Sequence, residues 1–249
     1  MAMYPVLCQI GPFTVYSYGV MLAVAVFVSS ILLGRDAKRR HIQPDVIFDL
    51  VFWMVVVGIL GARVFYILLN FSFFWDNPLE MIKIYKGGLA WQGALVSGFI
   101  AGLIFIKKKG LALWPTLDLI APYAALGQAI GRLGCFLNGC CYGKEWKGGV
   151  FFPVHQKFLH PTQLYEAFGL LIIFFILKRY QTSNRHPGRV FFLYLFLAGL
   201  ERFLVEFLRA DHVLTGMGLS LFQIISLIIM TGSIVLLWYR SSANFVRRK

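Results

Sequence analysis

With 249 residues, 59% of them hydrophobic and 14% charged, the chain lacks the polar surface of a soluble globule, which runs about 45–50% apolar and about 25% charged. A mean hydropathy of +0.72 points the same way. The net charge of +13 would suggest nucleic acid in a soluble protein, but here the basic residues flank apolar runs, and no nucleic-acid partner is expected.

A spanning helix needs about 20 mostly apolar residues. Seven such runs are predicted, over 14–34, 46–69, 88–106, 114–134, 162–177, 190–208 and 219–239. They are continuously apolar rather than alternating in polarity, which favours helices over a barrel. The expected fold class is all-α: one polytopic membrane domain over 1–249 with about seven transmembrane helices. The first basic residue is Arg35, so the basic start of a cleavable signal peptide is absent.

Lysine and arginine in the connecting segments set the orientation. Arg35, Lys38, Arg39 and Arg40 follow the first run, Lys107, Lys108 and Lys109 the third, Lys178, Arg179, Arg185 and Arg189 the fifth, and Arg240, Arg247, Arg248 and Lys249 the last, fifteen on one side. The other side carries five: Lys83, Lys86, Lys144, Lys147 and Lys157. The N-terminus is therefore expected outside and the C-terminus in the cytoplasm. Two long outer segments result. One is an arm over about 70–87, with Phe71, Phe73, Phe74 and Trp75 suited to the interface and a short surface helix expected over 79–85. The other is a small cap over about 135–161, rich in Gly and Cys.

Four arginines remain inside the runs or at their very end: Arg63, Arg132, Arg202 and Arg209. An arginine at the bilayer centre costs roughly 2.5–3.5 kcal/mol on the lenient insertion scale, so each needs a partner or a wet cavity. Four acids lie in or beside the runs as well, Asp118, Glu166, Glu201 and Glu206. Arg202, Glu206 and Arg209 recur at i, i+4 and i+7 and share one helical face, while Glu201 points about 100° away. A self-satisfied ion pair fixing helix register would explain Arg202 and Glu206 alone. It would not explain Arg63 and Arg132 on other helices.

The fourth run ends in a glycine-rich stretch, Gly131 to Gly143, which includes Arg132, Asn138 and Gly139. Glycines let a backbone turn tightly and approach a ligand closely. A guanidinium beside such a turn suits a phosphate, although the stretch lacks the ending of a P-loop. Near the start of the third run lie Gly88, Gln92 and Gly93, where small residues allow close helix packing and the amide can donate and accept hydrogen bonds. Pro161 suits a helix start, and Gln163 and Glu166 then share a face. Tyr18 stands near the outer end of the first run, as an interfacial anchor would. Cys135, Cys140, Cys141, His155 and His160 fall in one outer segment, but their spacing matches no common zinc pattern, and neither a metal nor a cofactor is expected.

Taken together, these segments resemble the bacterial prolipoprotein diacylglyceryl transferases. The match is strongest over Gly131-Arg132-Leu133-Gly134, Phe136, Asn138-Gly139 and Gly143. Tyr18-Gly19, Gly61-Ala62-Arg63, Gly87-Gly88 with Gly93, Asp118, the stretch from His160 to Glu166, the stretch from Arg202 to Arg209, and Gln223 to Ser226 follow in family order. The family often carries a histidine where this chain has Gln92, and some members have asparagine and glutamate where it has Cys135 and Cys140.

The resemblance implies a multi-pass enzyme of the bacterial cytoplasmic (inner) membrane. Its partners would be phosphatidylglycerol, the signal peptides of preprolipoproteins and the surrounding membrane lipids. It would move the diacylglyceryl group onto a lipobox cysteine thiol and release glycerol phosphate. Arg132 and Arg202 are the expected phosphate clamp, with Gln92, Glu206 and Tyr18 as further catalytic candidates. Arg63, Arg209, Gly93, Asn138, Gly139 and Glu166 are expected to help bind substrate. A transporter or channel with a buried Arg–Glu pathway is the alternative that such charges also allow.

Overall fold

A β-hairpin of β1 (Val6–Ile10) and β2 (Phe13–Tyr16) leads directly into the first long helix, α1 (Ser17–Arg39), in the computed structural model, which describes residues 3–11, 13–83, 87–183, 186–210 and 218–246. Lys86, Arg185 and residues 247–249 of the charge count lie outside the described residues. The hairpin claims residues 14–16, which the apolar run assigns to the first helix. Thr14, Val15 and Tyr16 are β-branched or aromatic, suited to a strand, and they pair with Gln9, Cys8 and Val6. Ser17 then opens α1, its hydroxyl bonded to the carbonyls of Tyr4 and Pro5.

The remaining elements are α2 (Pro44–Leu69), α3 (Phe71–Asp76), a 3-10 turn (Pro78–Ile82), α4 (Trp91–Lys108), α5 (Leu113–Asn138), β3 (Glu145–Phe152), β4 (Lys157–Leu159), α6 (Thr162–Ser183), α7 (Arg189–Glu206) and α8 (Leu221–Val246). The chain is mostly helical, but the all-α expectation needs correction: β1–β2 and β3–β4 form two small antiparallel sheets. Each of the seven apolar runs falls on a helix of 18 residues or more. By length and composition alone, and among the described residues, three are apolar enough to cross a membrane: Ser17–Arg39, Pro44–Leu69 and Leu221–Tyr239. Among the others, α5, α6 and α7 carry the polar cargo, Arg132, Glu166 and Arg202 respectively.

Two connecting segments, the arm and the cap, also differ from expectation. Where a surface helix was expected over 79–85, the chain makes α3 and the shorter 3-10 turn, separated by Asn77, because Pro78 cannot continue the preceding helix. Residues 84 and 85 lie outside the described residues. The cap begins later than residue 135, since α5 runs on to Asn138, and its body is the β3–β4 hairpin.

The chain resolves into two compact units, one of Met1–Leu32 with Leu117–Lys249 and one of Leu33–Thr116. In the second, α2 packs on α4 through a seam of small residues. A Cβ on Gly93 would collide with the Gly61 carbonyl, and one on Gly98 would lie 3.0 Å from the Met54 carbonyl oxygen. Such contact leaves no room for side chains at the crossing.

In the first unit, Ala121, Ala125 and Ala129 of α5 meet Leu170, Ile173 and Leu177 of α6 and Val190 and Tyr194 of α7 in a buried core. Asp118 fixes the start of α7: its carboxylate accepts from the Gly188 N–H at 2.6 Å and the Phe191 N–H at 2.8 Å. These are amides that a helix start leaves without internal partners. Gly188 sits there at φ 94°, a conformation that glycine adopts without a steric penalty. α7 packs on both α6 and α8.

Candidate active site

Three arginines and two carboxylates of the first unit form one ion-paired cluster drawn from three helices and the segment after α7. Glu166, on the second turn of α6, is fully buried. Its Oε2 lies 2.8 Å from Arg132 Nε on α5, and its Oε1 accepts a 2.8 Å hydrogen bond from Arg202 Nη1 on α7. Arg202 Nη2 in turn lies 2.6 Å from Oε2 of Glu206, one turn further along α7. Arg209 reaches both acids at 3.9 Å. Glu206 is also held from the start of α8, where the Ser220 hydroxyl donates to its Oε1 at 2.8 Å. The stripe predicted along the sixth run is thus shared between helices rather than satisfied within one.

The two arginine side chains are not sealed in. Arg132 and Arg202 side chains keep 27% and 20% of their accessible surface, against 1% for Glu166. Arg202 also lies 4.9 Å over the Phe222 ring, a cation–π contact that holds its orientation. Within these ion pairs Arg132, Arg202 and Arg209 face Glu166 and Glu206.

Glycines and a tight turn set the surroundings. The stretch 131–138 is helical to its end rather than a loop, and the turn starts at Gly139, at φ 73°, where a Cβ would crowd Met3. A helix stops naturally at a left-handed glycine. The Gly139 N–H bonds the Phe136 carbonyl at 3.1 Å, and the Cys140 N–H bonds the Cys135 carbonyl at 3.2 Å. The Cys140 thiol lies 3.7 Å from the Cys135 carbonyl oxygen, just after Asn138 and Gly139. The first residues of α6 pin the turn: Gln163 Nε2 donates to the Cys140 carbonyl at 2.5 Å, and the Thr162 hydroxyl to the Cys141 carbonyl at 2.7 Å. Gly143 then pairs with Arg209 in an antiparallel bridge, with Lys144 N–H to Leu208 O at 2.8 Å. A Cβ on Gly143 would lie 2.7 Å from that same Leu208 oxygen. Arg209, beyond the end of α7, is therefore placed by strand-like pairing, not by the helical face that its spacing predicts.

Tyr18 belongs to this neighbourhood. α1 passes close to α5 at Gly134, where a Cβ would lie 2.9 Å from Met21 and 3.5 Å from Tyr18 Cα. The phenol lies within electrostatic reach of Arg132 and of Cys135, Cys140 and Cys141.

Three further candidates lie in the second unit. Gln92 is exposed on the first turn of α4, and Gly93 is buried in the α2–α4 seam. Arg63 is buried and spends its N–H groups on backbone: Nε on Met81 O at 3.0 Å, Nη1 on Gly87 O and Gly88 O at 2.8 and 3.0 Å, and Nη2 on Glu80 O at 2.5 Å. It also lies against the rings of Tyr66 and Phe74. It thereby braces the arm, and Gly87 and Gly88 can present both carbonyls because they sit at φ 86° and 75°.

Glu201 is the residue that a reading of helical faces sets aside. It points off the Arg202 stripe, yet that direction is toward α6, where the absence of a side chain on Gly169 makes room for it. Its carboxylate lies within electrostatic reach of Arg132, Arg202 and Glu166, and its Oε1 is buried with no hydrogen-bond partner among the described residues. An acid inside an apolar run was the available signal.

Comparison with known proteins gives matches over nearly the whole chain. The family model described as prolipoprotein diacylglyceryl transferase matches residues 5–239. The chain is 34% identical to a phosphatidylglycerol–prolipoprotein diacylglyceryl transferase of Halalkalibacterium halodurans, covering 98% of this chain and 89% of that protein. It is 39% identical to the enzyme of the same name from Clostridium tetani, over 90% of this chain and 93% of that one. For that of Trichormus variabilis the identity is 37%, over 90% and 84%.

Proposed function

Because the chain belongs to the prolipoprotein diacylglyceryl transferase family, we propose that it transfers the diacylglyceryl group of phosphatidylglycerol to the lipobox cysteine thiol of a preprolipoprotein, forming a thioether and releasing glycerol phosphate. It works as a seven-span protein of the bacterial cytoplasmic membrane, N-terminus outside, with the charge asymmetry of its connecting segments as the support for that orientation.

The observation that carries the reading is that Arg132 and Arg202, each keeping part of its side chain open, are held on the two oxygens of one buried carboxylate, Glu166. A phosphodiester brings one negative charge. As the thiol sulfur attacks the glyceryl carbon, the carbon–oxygen bond breaks and its electron pair goes to the phosphate oxygen, which becomes more negative. Fixed donors aimed at that oxygen stabilise the transition state more than the ground state. Arg132 and Arg202 take this role, held by Glu166 so that they need not reorganise. Arg209 adds to the field. The Tyr18 hydroxyl is suited to a hydrogen bond with the head group.

The thiol proton needs an acceptor. Glu166 and Glu206 each serve more than one arginine, which makes them poor bases. Glu201 forms no ion pair among the described residues, so we assign it the proton. Negative charge then moves from the Glu201 carboxylate to the departing phosphate, while the arginines near both stay in place. Asn138 and Gly139 shape the turn beside the clamp, Arg63 braces the arm, and Gly93 holds its helix seam.

The deciding experiment gives the purified protein labelled phosphatidylglycerol and a lipobox peptide. A thioether product is expected. Solute flux through liposomes with no thioether formed would favour a transporter instead.

A further inference from the structure

Three thiols converge on one point although their spacing matches no metal motif. Cys135 lies in the last turn of α5, Cys140 and Cys141 on the turn after it, and the three Sγ atoms lie within 4.8 Å of one another. All three are free thiols. A zinc ion bound at about 2.3 Å by tetrahedral thiolates separates its sulfurs by roughly 3.8 Å, and trigonal coordination at a similar bond length separates them by roughly 4.0 Å. Small side-chain rotations would close this trio on a single ion.

We propose that Cys135, Cys140 and Cys141 form a three-thiolate site for a soft, thiophilic d10 cation, Cu(I) or Zn(II). Sulfur donors select such ions over magnesium, calcium or manganese.

The backbone holds the donors in place independently of any ion. The carbonyls of Cys140 and Cys141 are tied to Gln163 and Thr162. Cys141 itself sits at φ 63°, a left-handed conformation that is costly for a residue with a Cβ. That cost is sustained by the hydrogen bonds on either side, and it keeps Cys141 folded back beside Cys135 rather than continuing outward. Three thiolates around a d10 cation are net anionic, and a counter-charge is at hand: Arg209 lies within electrostatic reach of Cys141.

The two histidines of the cap are engaged elsewhere. His155 packs on Tyr142 with ring centroids 4.0 Å apart, and His160 stacks on Trp146 at 4.6 Å. Among the described residues the trio is the only group of three or more His, Cys, Asp or Glu donors close enough to share an ion. The site therefore takes either a three-coordinate ion or a four-coordinate one completed by water, and the choice between Cu(I) and Zn(II) follows from which of these it prefers.

The test uses the full-length protein, purified in detergent and reduced under nitrogen. Cu(I) and Zn(II) are titrated separately against chromophoric chelators of known affinity. One equivalent of at least one ion is expected to stay with the protein. Cys135→Ser and Cys141→Ser should each weaken binding by more than the roughly 10–100-fold that loss of an outer-shell partner costs. Cys8→Ser, in the exposed β1 strand, should leave it unchanged. A measurement on the unaltered chain guards against misfolded variants: the bound ion should slow iodoacetamide alkylation of the three thiols and not that of Cys8. Failure of both ions to bind overturns the proposal. So does binding that survives Cys135→Ser, or a peptide map showing Cys135 in a disulfide while the reduced protein takes up no metal.

Discussion

Arg132 and Arg202, on different helices, hold opposite oxygens of one carboxylate: Arg132 Nε lies 2.8 Å from Glu166 Oε2, and Arg202 Nη1 lies 2.8 Å from Glu166 Oε1. The acid is fully buried, and each arginine keeps part of its surface open. One group thus fixes two guanidinium planes at a set separation. A phosphate meeting them finds donors already oriented, which is the condition under which hydrogen bonds contribute to catalysis.

Removing either guanidinium should therefore remove turnover. Arg132→Ala and Arg202→Ala are each expected to lower the rate of thioether formation by about 100-fold or more, the scale seen for loss of one preorganised donor. Transfer of labelled diacylglycerol to a lipobox peptide measures it. Full activity in both variants would defeat the phosphate-clamp assignment.

Glu166 should matter to stability as well as to rate. Breaking a buried charge network by removing one partner costs about 3–5 kcal/mol, and Glu166→Ala leaves Arg132 with no carboxylate partner in the ion pairs described. Thermal unfolding in detergent should show a clearly lowered midpoint. An unchanged midpoint would mean that the cluster is solvated and that the guanidiniums are not held by Glu166.

Glu201→Gln separates proton transfer from binding. The amide keeps the shape but cannot accept the thiol proton, so kcat is expected to fall while KM for phosphatidylglycerol stays near its original value. A base must be deprotonated to work, so the unaltered enzyme should gain rate with rising pH through the titration of Glu201. The variant should lose that rising limb. A variant with the same pH profile and the same kcat would remove Glu201 from the mechanism.

Asp118 lies at the other end of α7 from Arg202 and Glu206 and should act only through position. Loss of a helix cap costs about 0.5–2 kcal/mol, so Asp118→Ala is expected to lower the unfolding midpoint and reduce activity moderately. Asp118→Asn, which can still accept one of the two backbone bonds, should recover part of both. Complete loss of activity at unchanged stability would contradict the capping role.

Gln92 and Gly93 are neighbours with separate expectations. Gln92→Ala should impair turnover less than loss of either clamp arginine, and equal impairment would give Gln92 a central role. Gly93→Ala forces a Cβ onto the Gly61 carbonyl, a backbone atom that cannot rotate away. Overpacking of this kind costs about 1–3 kcal/mol, so Gly93→Ala should show first as lost stability.

Much of this protein is written in its order of residues. Seven apolar runs fix where the helices lie, because lipid tolerates backbone only when its hydrogen bonds close within a helix or a barrel. Arginines and glutamates inside those runs mark the site, because a charge there must have a purpose or a partner. Partnership itself was not legible. Helical spacing pairs Arg202 with Glu206 but cannot show that Glu166 of α6 joins Arg132 of α5 to Arg202 of α7. It discards Glu201, whose direction matters only once α6 lies beside it with a glycine at the contact. It makes Arg63 one more substrate-binding residue, whereas the fold spends that guanidinium on four carbonyls of the arm. Sequence specifies which groups are costly to bury, since that cost belongs to each side chain alone. Which groups offset one another depends on distances of a few ångströms between segments far apart along the chain, and only the folded molecule sets those.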